Sequence, residues 1–203
     1  MWQVESHGLV PFEADRSADT QGEIDIVLIR RVGARDERAV GELYDRHSRQ
    51  LFNLIVRIVH DRGQAEDVLQ EVFVALWTRV HTYEATLGSP LAWLVRIARN
   101  RAIDRLRATG ARTRAVESVQ VEFVDRATPE DRASAGEQGR AVTSALDGLP
   151  SEQRVLIEDA YFLGLTHSEL ASRHALPLGT VKTRIRSGLQ ALRQSLGPVN
   201  TGL

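Results

Sequence analysis

Residues 166–196 constrain this chain more tightly than any other stretch. Thr166-His167-Ser168-Glu169 has the form of a capping box, in which the threonine oxygen accepts the backbone N–H three residues on and the glutamate reaches back to the cap. The helix it opens runs through Leu170, Ala171 and Arg173, and Ala175-Leu176-Pro177-Leu178-Gly179 breaks it. A longer helix follows, with Val181, Ile185, Leu189, Leu192 and Leu196 on one face. Two helices joined by so tight a turn form a helix-turn-helix. At roughly 100° per residue, Thr180, Thr183 and Ser187 point away from the apolar stripe, and Lys182, Arg184 and Arg186 flank them. Small hydroxyl residues let a helix sink into a major groove, where flanking cations reach phosphates or guanine edges. A solvated basic face has the same pattern. Five bases and no acid over residues 173–193, together with the capping box and the turn, favour DNA.

The rest of the chain is also patterned as helix. Val40, Leu43, Tyr44, Leu51, Ile55 and Val59 follow three-four spacing. A second stretch from Gly63 repeats it with Val68, Leu69, Val72, Phe73, Leu76, Trp77 and Val80. A third opens at Ser89-Pro90, with serine placed to cap and proline at the first helical position, and carries Leu91, Leu94, Ile97, Ala98 and Leu106. Periodicity lapses between Thr109 and Ala135, a stretch holding Gly110 and Thr128-Pro129-Glu130-Asp131 that reads as a linker. It returns in Val142, Ala145, Leu146 and Leu149, and again in Val155, Leu156, Ala160 and Phe162. No stretch alternates like a strand. The expected class is all-α: two small helical domains on a flexible linker, the second a helix-turn-helix. The expected divisions are a disordered acidic tail over 1–23, a first domain over 24–110, the linker over 111–136, a second domain over 137–197 and a flexible tail over 198–203.

A net charge of −1 hides strong polarisation along the chain. Residues 1–25 hold six acids and one base, residues 93–114 seven bases and one acid, and residues 115–148 seven acids and three bases. Two basic blocks separated by an acidic connector suggest two contacts with a polyanion. On the Ser89 helix, Arg96, Arg99, Asn100 and Arg107 form a cationic stripe roughly opposite Leu91, Leu94 and Ala98, and Asp104 is expected to pair with Arg101 or Arg107. This stripe, too, has the pattern of a solvated helix face. Beside it, His81 to Gly88, with Tyr83 among them, reads as a loop of the kind that can hold unstacked bases. Trp77 and Trp93 fall on or near apolar faces and read as core more readily than as stacking platforms.

Other chemistries find little support. The absence of cysteine removes disulfides, thiolate metal sites and a cysteine nucleophile. The six histidines show no metal-binding or triad-like spacing, and no glycine-rich phosphate loop occurs. No catalytic residue, metal or cofactor is therefore expected. No apolar run approaches the ~20 residues of a membrane span, and residues 1–5 lack a secretory pattern. The expected setting is the cytoplasm, without membrane contact.

Several segments together resemble a known family. Asp61-Arg62-Gly63-Gln64-Ala65-Glu66-Asp67-Val68-Leu69-Gln70-Glu71-Val72-Phe73 resembles region 2.2 of the bacterial extracytoplasmic-function sigma factors. Ser89-Pro90-Leu91-Ala92-Trp93-Leu94, continuing from Ile97 to Arg107, is similar to regions 2.3 and 2.4. Leu149 to Arg154 and Gly164 to Glu169 are similar to the opening of region 4, and Leu178 to Arg186 to its recognition helix. The resemblance covers residues 24–196 in the family's order.

The resemblance implies a dissociable promoter-specificity subunit of RNA polymerase with only the second and fourth sigma domains. It implies as partners core RNA polymerase (β′ clamp and β subunits), promoter DNA as duplex and as non-template single strand, and an anti-sigma factor. Asp67, Gln70 and Glu71, with Val74, would dock on the clamp coiled coil, although the same acids would also suit a solvated helix. Thr180, Lys182, Thr183, Arg184, Arg186 and Ser187 would read the −35 element as duplex. Arg96, Arg99, Asn100 and Arg107 would hold the −10 element, while the Tyr83–Gly88 loop captured an extruded base. The linker would thread through the polymerase toward its active centre and RNA exit channel. The residues themselves leave one alternative open, a helix-turn-helix regulator that binds free duplex without polymerase.

Overall fold

Local capping signals open four of the described α-helices. The structure, a computed structural model, describes residues 16–109 and 137–197. Its helices are α1 (Arg16–Gly33), α2 (Glu37–Val59), α3 (Arg62–Arg79), α4 (Pro90–Ala108), α5 (Glu137–Asp147), α6 (Ser151–Phe162), α7 (His167–Arg173) and α8 (Leu178–Ser195). Two 3-10 turns, Val80–Thr82 and Ala85–Leu87, link α3 to α4. The side chains of Asp36, Asp61 and Ser89 accept the N–H groups of Arg38, Gln64 and Ala92, satisfying donors that α2, α3 and α4 would otherwise leave unpaired. His60, with φ 58°, turns the chain after α2 in the left-handed conformation. No strand occurs among the described residues.

Two cores result. The first packs Leu28 and Val32 of α1, Leu43, Leu51 and Ile55 of α2, Val68, Val72 and Leu76 of α3, and Leu94, Ala98 and Leu106 of α4. The second is smaller, with Leu156 of α6, Leu163 and Leu165 after it, Leu170 of α7, and Val181 and Ile185 of α8. Burying each such aliphatic side chain contributes about 1.5–3 kcal/mol, so tertiary packing rather than helix propensity holds these short helices.

Helix α1 begins at Arg16, ahead of Ile24 and inside the stretch read above as a tail. The apolar period does not show this start; among the described side chains of the helix the first core hydrophobics are Leu28 and Ile29. Residues 1–15, the whole of the expected linker and the expected C-terminal tail lie outside the described residues.

A polar contact buried in the first core ties α1 to α2. Asp25 is 4% exposed; its Oδ1 accepts Arg46 Nε at 2.7 Å, and His47 Nε2 lies 2.7 Å from its Oδ2. Burial alone would raise the Asp25 carboxyl, but hydrogen bonds and charge from His47 and Arg46 outweigh it and hold the group below its ordinary range. A matching arrangement braces the second domain. Asp159 of α6, 2% exposed, accepts Arg173 Nε at 2.9 Å and lies 2.8 Å from His174 Nε2. Among the described residues no buried side-chain polar atom lacks a partner.

Candidate nucleic-acid interface

In the second domain the capping box forms as its sequence dictates. Thr166 Oγ1 accepts the Glu169 N–H at 3.3 Å, and Glu169 Oε2 accepts the Thr166 N–H at 2.7 Å. Ala175, with φ 51°, turns the chain after α7, and α8 starts three residues later at Leu178. Val181 and Ile185 anchor α8 in the core. On its other side Lys182, Thr183, Arg186 and Ser187 are exposed, and Thr180 and Arg184 are half-buried. Thr183 donates its hydroxyl to the Gly179 carbonyl at 2.9 Å, which leaves its oxygen lone pairs outward.

Two details depart from the helical-wheel reading. Leu189, placed there on the buried face, is 52% exposed, and Gly188 is buried in its stead. A Cβ at Gly188 would stand 2.6 Å from Ile157 Cδ1 and 3.3 Å from Gln153 Cβ, so α6 crosses α8 at the glycine and the contact line shifts away from Leu189. Nor are the five bases of residues 173–193 uncompensated. Arg173 pairs with buried Asp159, and Arg184 Nη2 lies 2.6 Å from Glu152 Oε2 at the start of α6.

In the first domain α4 displays Arg96, Asn100 and Arg107 as exposed side chains and Arg99 as a half-buried one. Arg96 borders a shallow hollow formed with Glu84, Leu87, Gly88, Ala92 and Trp93. Tyr83 frames this loop from beneath. It is half-buried, its hydroxyl donates to the Gly88 carbonyl at 3.1 Å, and its ring meets Trp93 edge-on at 5.8 Å. Burial, and secondarily the Asp25 charge, raise its phenol above the usual range. Gly88 has φ 130°, a conformation that side chains rarely adopt, so the loop's closing turn requires glycine. Leu87 projects from the loop with 60% exposure. Trp93, 6% exposed, is core, and Trp77 is half-buried beneath the Arg35 guanidinium at 5.1 Å.

The expected polymerase-facing residues divide. Gln70 and Val74 of α3 are exposed, Val74 by 63%. Asp67 and Glu71, with side chains 64% and 41% exposed, also reach α4: Arg105 contacts Asp67 at 3.4 Å and Glu71 at 2.8 Å, and Arg101 reaches Glu71 at 3.5 Å. Acids four residues apart on α3 thus meet arginines four residues apart on α4. That matching spacing was the signal available to sequence reasoning, and it was missed. Asp104 lies 3.9 Å from Arg107, one of its two expected partners.

Residues 43–112 match the family described as Sigma-70 region 2, and residues 145–194 match Sigma-70, region 4. The ECF RNA polymerase sigma factor SigK of Mycobacterium ulcerans (strain Agy99) is 38% identical over 171 residues, covering 83% of this chain and 91% of that one. The chain belongs to the ECF RNA polymerase sigma factors. SigK of Mycobacterium tuberculosis (strain H37Rv) is 37% identical over the same shares. Among solved structures, that of Rhodobacter sphaeroides SigE in complex with the anti-sigma ChrR is 27% identical with a TM-score of 0.44, covering 85% of this chain and 98% of that one. The CnrH structure, in complex with the cytosolic domain of CnrY, is 23% identical with a TM-score of 0.38, covering 85% and 97%.

As an ECF sigma factor the protein acts in promoter-specific transcription initiation through core RNA polymerase. Its two cores correspond to the two family matches, the first holding the region 2 segment and the second the region 4 segment. Among the described residues no helix is long and apolar enough to cross a membrane, and no group of three or more His, Asp or Glu could hold a metal ion.

Proposed function

We propose that this sigma factor recognises its promoter through two separate faces, α8 on the −35 duplex and the α4 stripe with the Tyr83–Gly88 loop on the −10 element. The observation that carries the reading is α8: Lys182, Thr183, Arg186 and Ser187 are exposed together, opposite a buried Val181–Ile185 anchor, on a helix held by a capped partner. That arrangement suits a recognition helix in a major groove, with phosphates supplying affinity and a few side chains supplying sequence. Arg96 beside the loop hollow suits the phosphate of a strand whose base enters that hollow. Binding and strand capture need no covalent step, so no residue is assigned a catalytic role. Such work places the protein in the cytoplasm with the polymerase, and an anti-sigma factor is the partner we infer from the family.

Core polymerase would dock on the exposed Gln70–Val74 face of α3, with Asp67 and Glu71 pairing with α4 along the adjoining edge of that face. Gln70→Ala with Val74→Ala is expected to weaken core binding about tenfold, the scale of losing a small interface hot spot. Asp67→Ala with Glu71→Ala should shift the melting of the first domain by no more than the ~1 kcal/mol of exposed ion pairs. Fluorescence titration against core polymerase and thermal melts distinguish the two variants. Equal loss of core affinity in both would return the acids to the docking surface.

The reading as a whole is tested by transcription from a genomic fragment library with purified core polymerase, with and without the protein. New transcripts sharing paired upstream elements are expected. Tight binding to bare duplex with no dependence on polymerase would overturn the reading in favour of a conventional regulator.

A further inference from the structure

Each acid of α6 meets an arginine, and one of those arginines belongs to α8. Glu158 and Asp159 are buried, and they pair with Arg154 at 2.8 Å and Arg173 at 2.9 Å. The third acid, Glu152, stands in the first turn of α6 with its side chain 55% exposed. It reaches across to α8, where its Oε2 lies 2.6 Å from Arg184 Nη2. The register of the two helices brings this about. α6 crosses α8 at Gly188, where a Cβ would stand 2.6 Å from Ile157 Cδ1 and 3.3 Å from Gln153 Cβ. Glu152 precedes Gln153 by one residue and Arg184 precedes Gly188 by about one turn. The crossing that buries the glycine therefore sets the carboxylate beside the guanidinium.

Among the described residues Arg184 is the one cation of α8 with an ion-pair partner; Lys182, Arg186 and Arg193 have none. A pair this exposed adds little to stability. Its carboxylate also stands at the edge of the exposed Lys182–Ser187 face, where it repels the phosphates of any duplex laid against α8. What the pair supplies is direction. A free arginine beside a groove takes whichever phosphate lies nearest, a contact that carries no sequence information. An arginine partly neutralised and held from one side keeps its remaining N–H groups for acceptors along its own heading. The O6 and N7 edge of guanine is the pattern such a fork matches. Its neighbour Thr183 is committed in a similar way, its hydroxyl proton given to the Gly179 carbonyl.

We propose that Glu152 is a positioning residue for promoter recognition, its carboxylate holding the Arg184 guanidinium toward a base edge of the −35 element and away from the phosphates. This rests on reading α8 as the helix that enters the −35 major groove. Preference at one base pair is then set by two helices, with the reader on α8 and its support on α6. The acid sharpens that preference and weakens the grip on duplex in general.

The test uses holoenzyme assembled from purified core polymerase and the full chain, transcribing a promoter pool in which each −35 base pair is replaced in turn by the other three. Arg184→Ala locates the position that this side chain reads. Glu152→Ala should lower discrimination at that same position about tenfold, the scale of one good side chain–base contact, and leave the other positions as they are. Glu152→Gln keeps the length and an acceptor without the charge, and should fall between. Holoenzyme binding to duplex lacking the element should tighten with Glu152→Ala and weaken with Arg184→Ala, a divergence that a purely structural ion pair would not produce. Thermal melts of all three variants should follow wild type closely. In the Arg184→Ala background Glu152→Ala should change discrimination no further, since its effect runs through the arginine.

Wild-type preferences in Glu152→Ala, at a position that Arg184→Ala flattens, would overturn the inference and leave the −35 reading standing. An undiminished effect of Glu152→Ala in the Arg184→Ala background would also overturn it, because the acid would then act by another route. If Arg184→Ala flattened no position while Arg186→Ala still weakened −35-dependent transcription, the inference would fall and α8 would keep its role. If neither arginine mattered, the reading of α8 would fall as well.

Discussion

Replacing Arg184 and Arg186 together with alanine should lower transcription from promoters bearing the −35 element about tenfold to a hundredfold, because a lost guanidinium contact to a base edge costs ~1–3 kcal/mol. Affinity for core polymerase should stay as it was, since α8 lies on the second domain and the proposed docking face on α3. The two arginines are not equivalent. Arg186 is exposed, whereas Arg184 is half-buried and held by Glu152. Losing Arg186 should mainly reduce the salt dependence of duplex binding, as loss of a phosphate contact does. Losing Arg184, whose direction is set before DNA arrives, should mainly relax base preference at one position. The ion pair to Glu152 is partly exposed, so its loss changes stability by no more than ~1 kcal/mol, and a fall in transcription is not a fall in folding. Run-off transcription on −35 variants, with core binding measured alongside, checks this. If these substitutions and Gln70→Ala with Val74→Ala lowered the same activity equally, the two-face assignment would fail.

What could be read from the sequence was what is decided locally. Ser89-Pro90 caps and opens α4 through atoms within one turn, and Thr166 and Glu169 close their box across three residues. Val181 and Ile185 were legible as an anchor because any packing of a short amphipathic helix must bury the centre of its apolar stripe. The edge of a stripe is decided by the helix that crosses it. Leu189 therefore emerged exposed and Gly188 buried once Ile157 was found above the glycine.

Charges followed the same rule. A helical wheel places Asp67 and Glu71 off the apolar stripe but cannot say that Arg101 and Arg105 stand across from them. The site divides along this line. The exposed cations of α8 and Arg96 are where periodicity put them, while Arg99 and Arg107 are engaged by backbone carbonyls more than fifty residues away, and carbonyls carry no sequence signature. Asp25 shows the limit most plainly, since it reads as one more acid in the negatively charged block of residues 1–25 and lies in the first core.

Asp25→Ala is accordingly the substitution with the largest expected effect on the fold. Removing one partner from a buried ion pair leaves the other charge desolvated and costs about 3–5 kcal/mol, a large part of the 5–15 kcal/mol that usually holds a domain. For a domain of this size that corresponds to a fall in melting temperature of at least ~10 °C. Asp25→Asn keeps the shape and some hydrogen bonding, so its cost should be smaller, and the difference between the two variants isolates the charge. The folded Asp25 carboxyl lies below its ordinary 3.8, so its contribution is fully present above the unfolded carboxylate value and is lost as pH falls through the folded one. Calorimetric melts should therefore show the gap between wild type and Asp25→Asn narrowing only below about pH 4. The second domain, with its own core and its own buried Asp159, should lose only what Phe162 and the Ala160, Tyr161 and Gly164 carbonyls gain from the first domain, so the proposed duplex binding through α8 should survive where the first domain is lost. Wild-type-like melting of Asp25→Ala would mean that Arg46 and His47 find water when the carboxylate is gone and that the apolar packing of Leu28, Ile29 and Val32, with the Arg31–Glu42 pair, suffices to hold the α1–α2 junction.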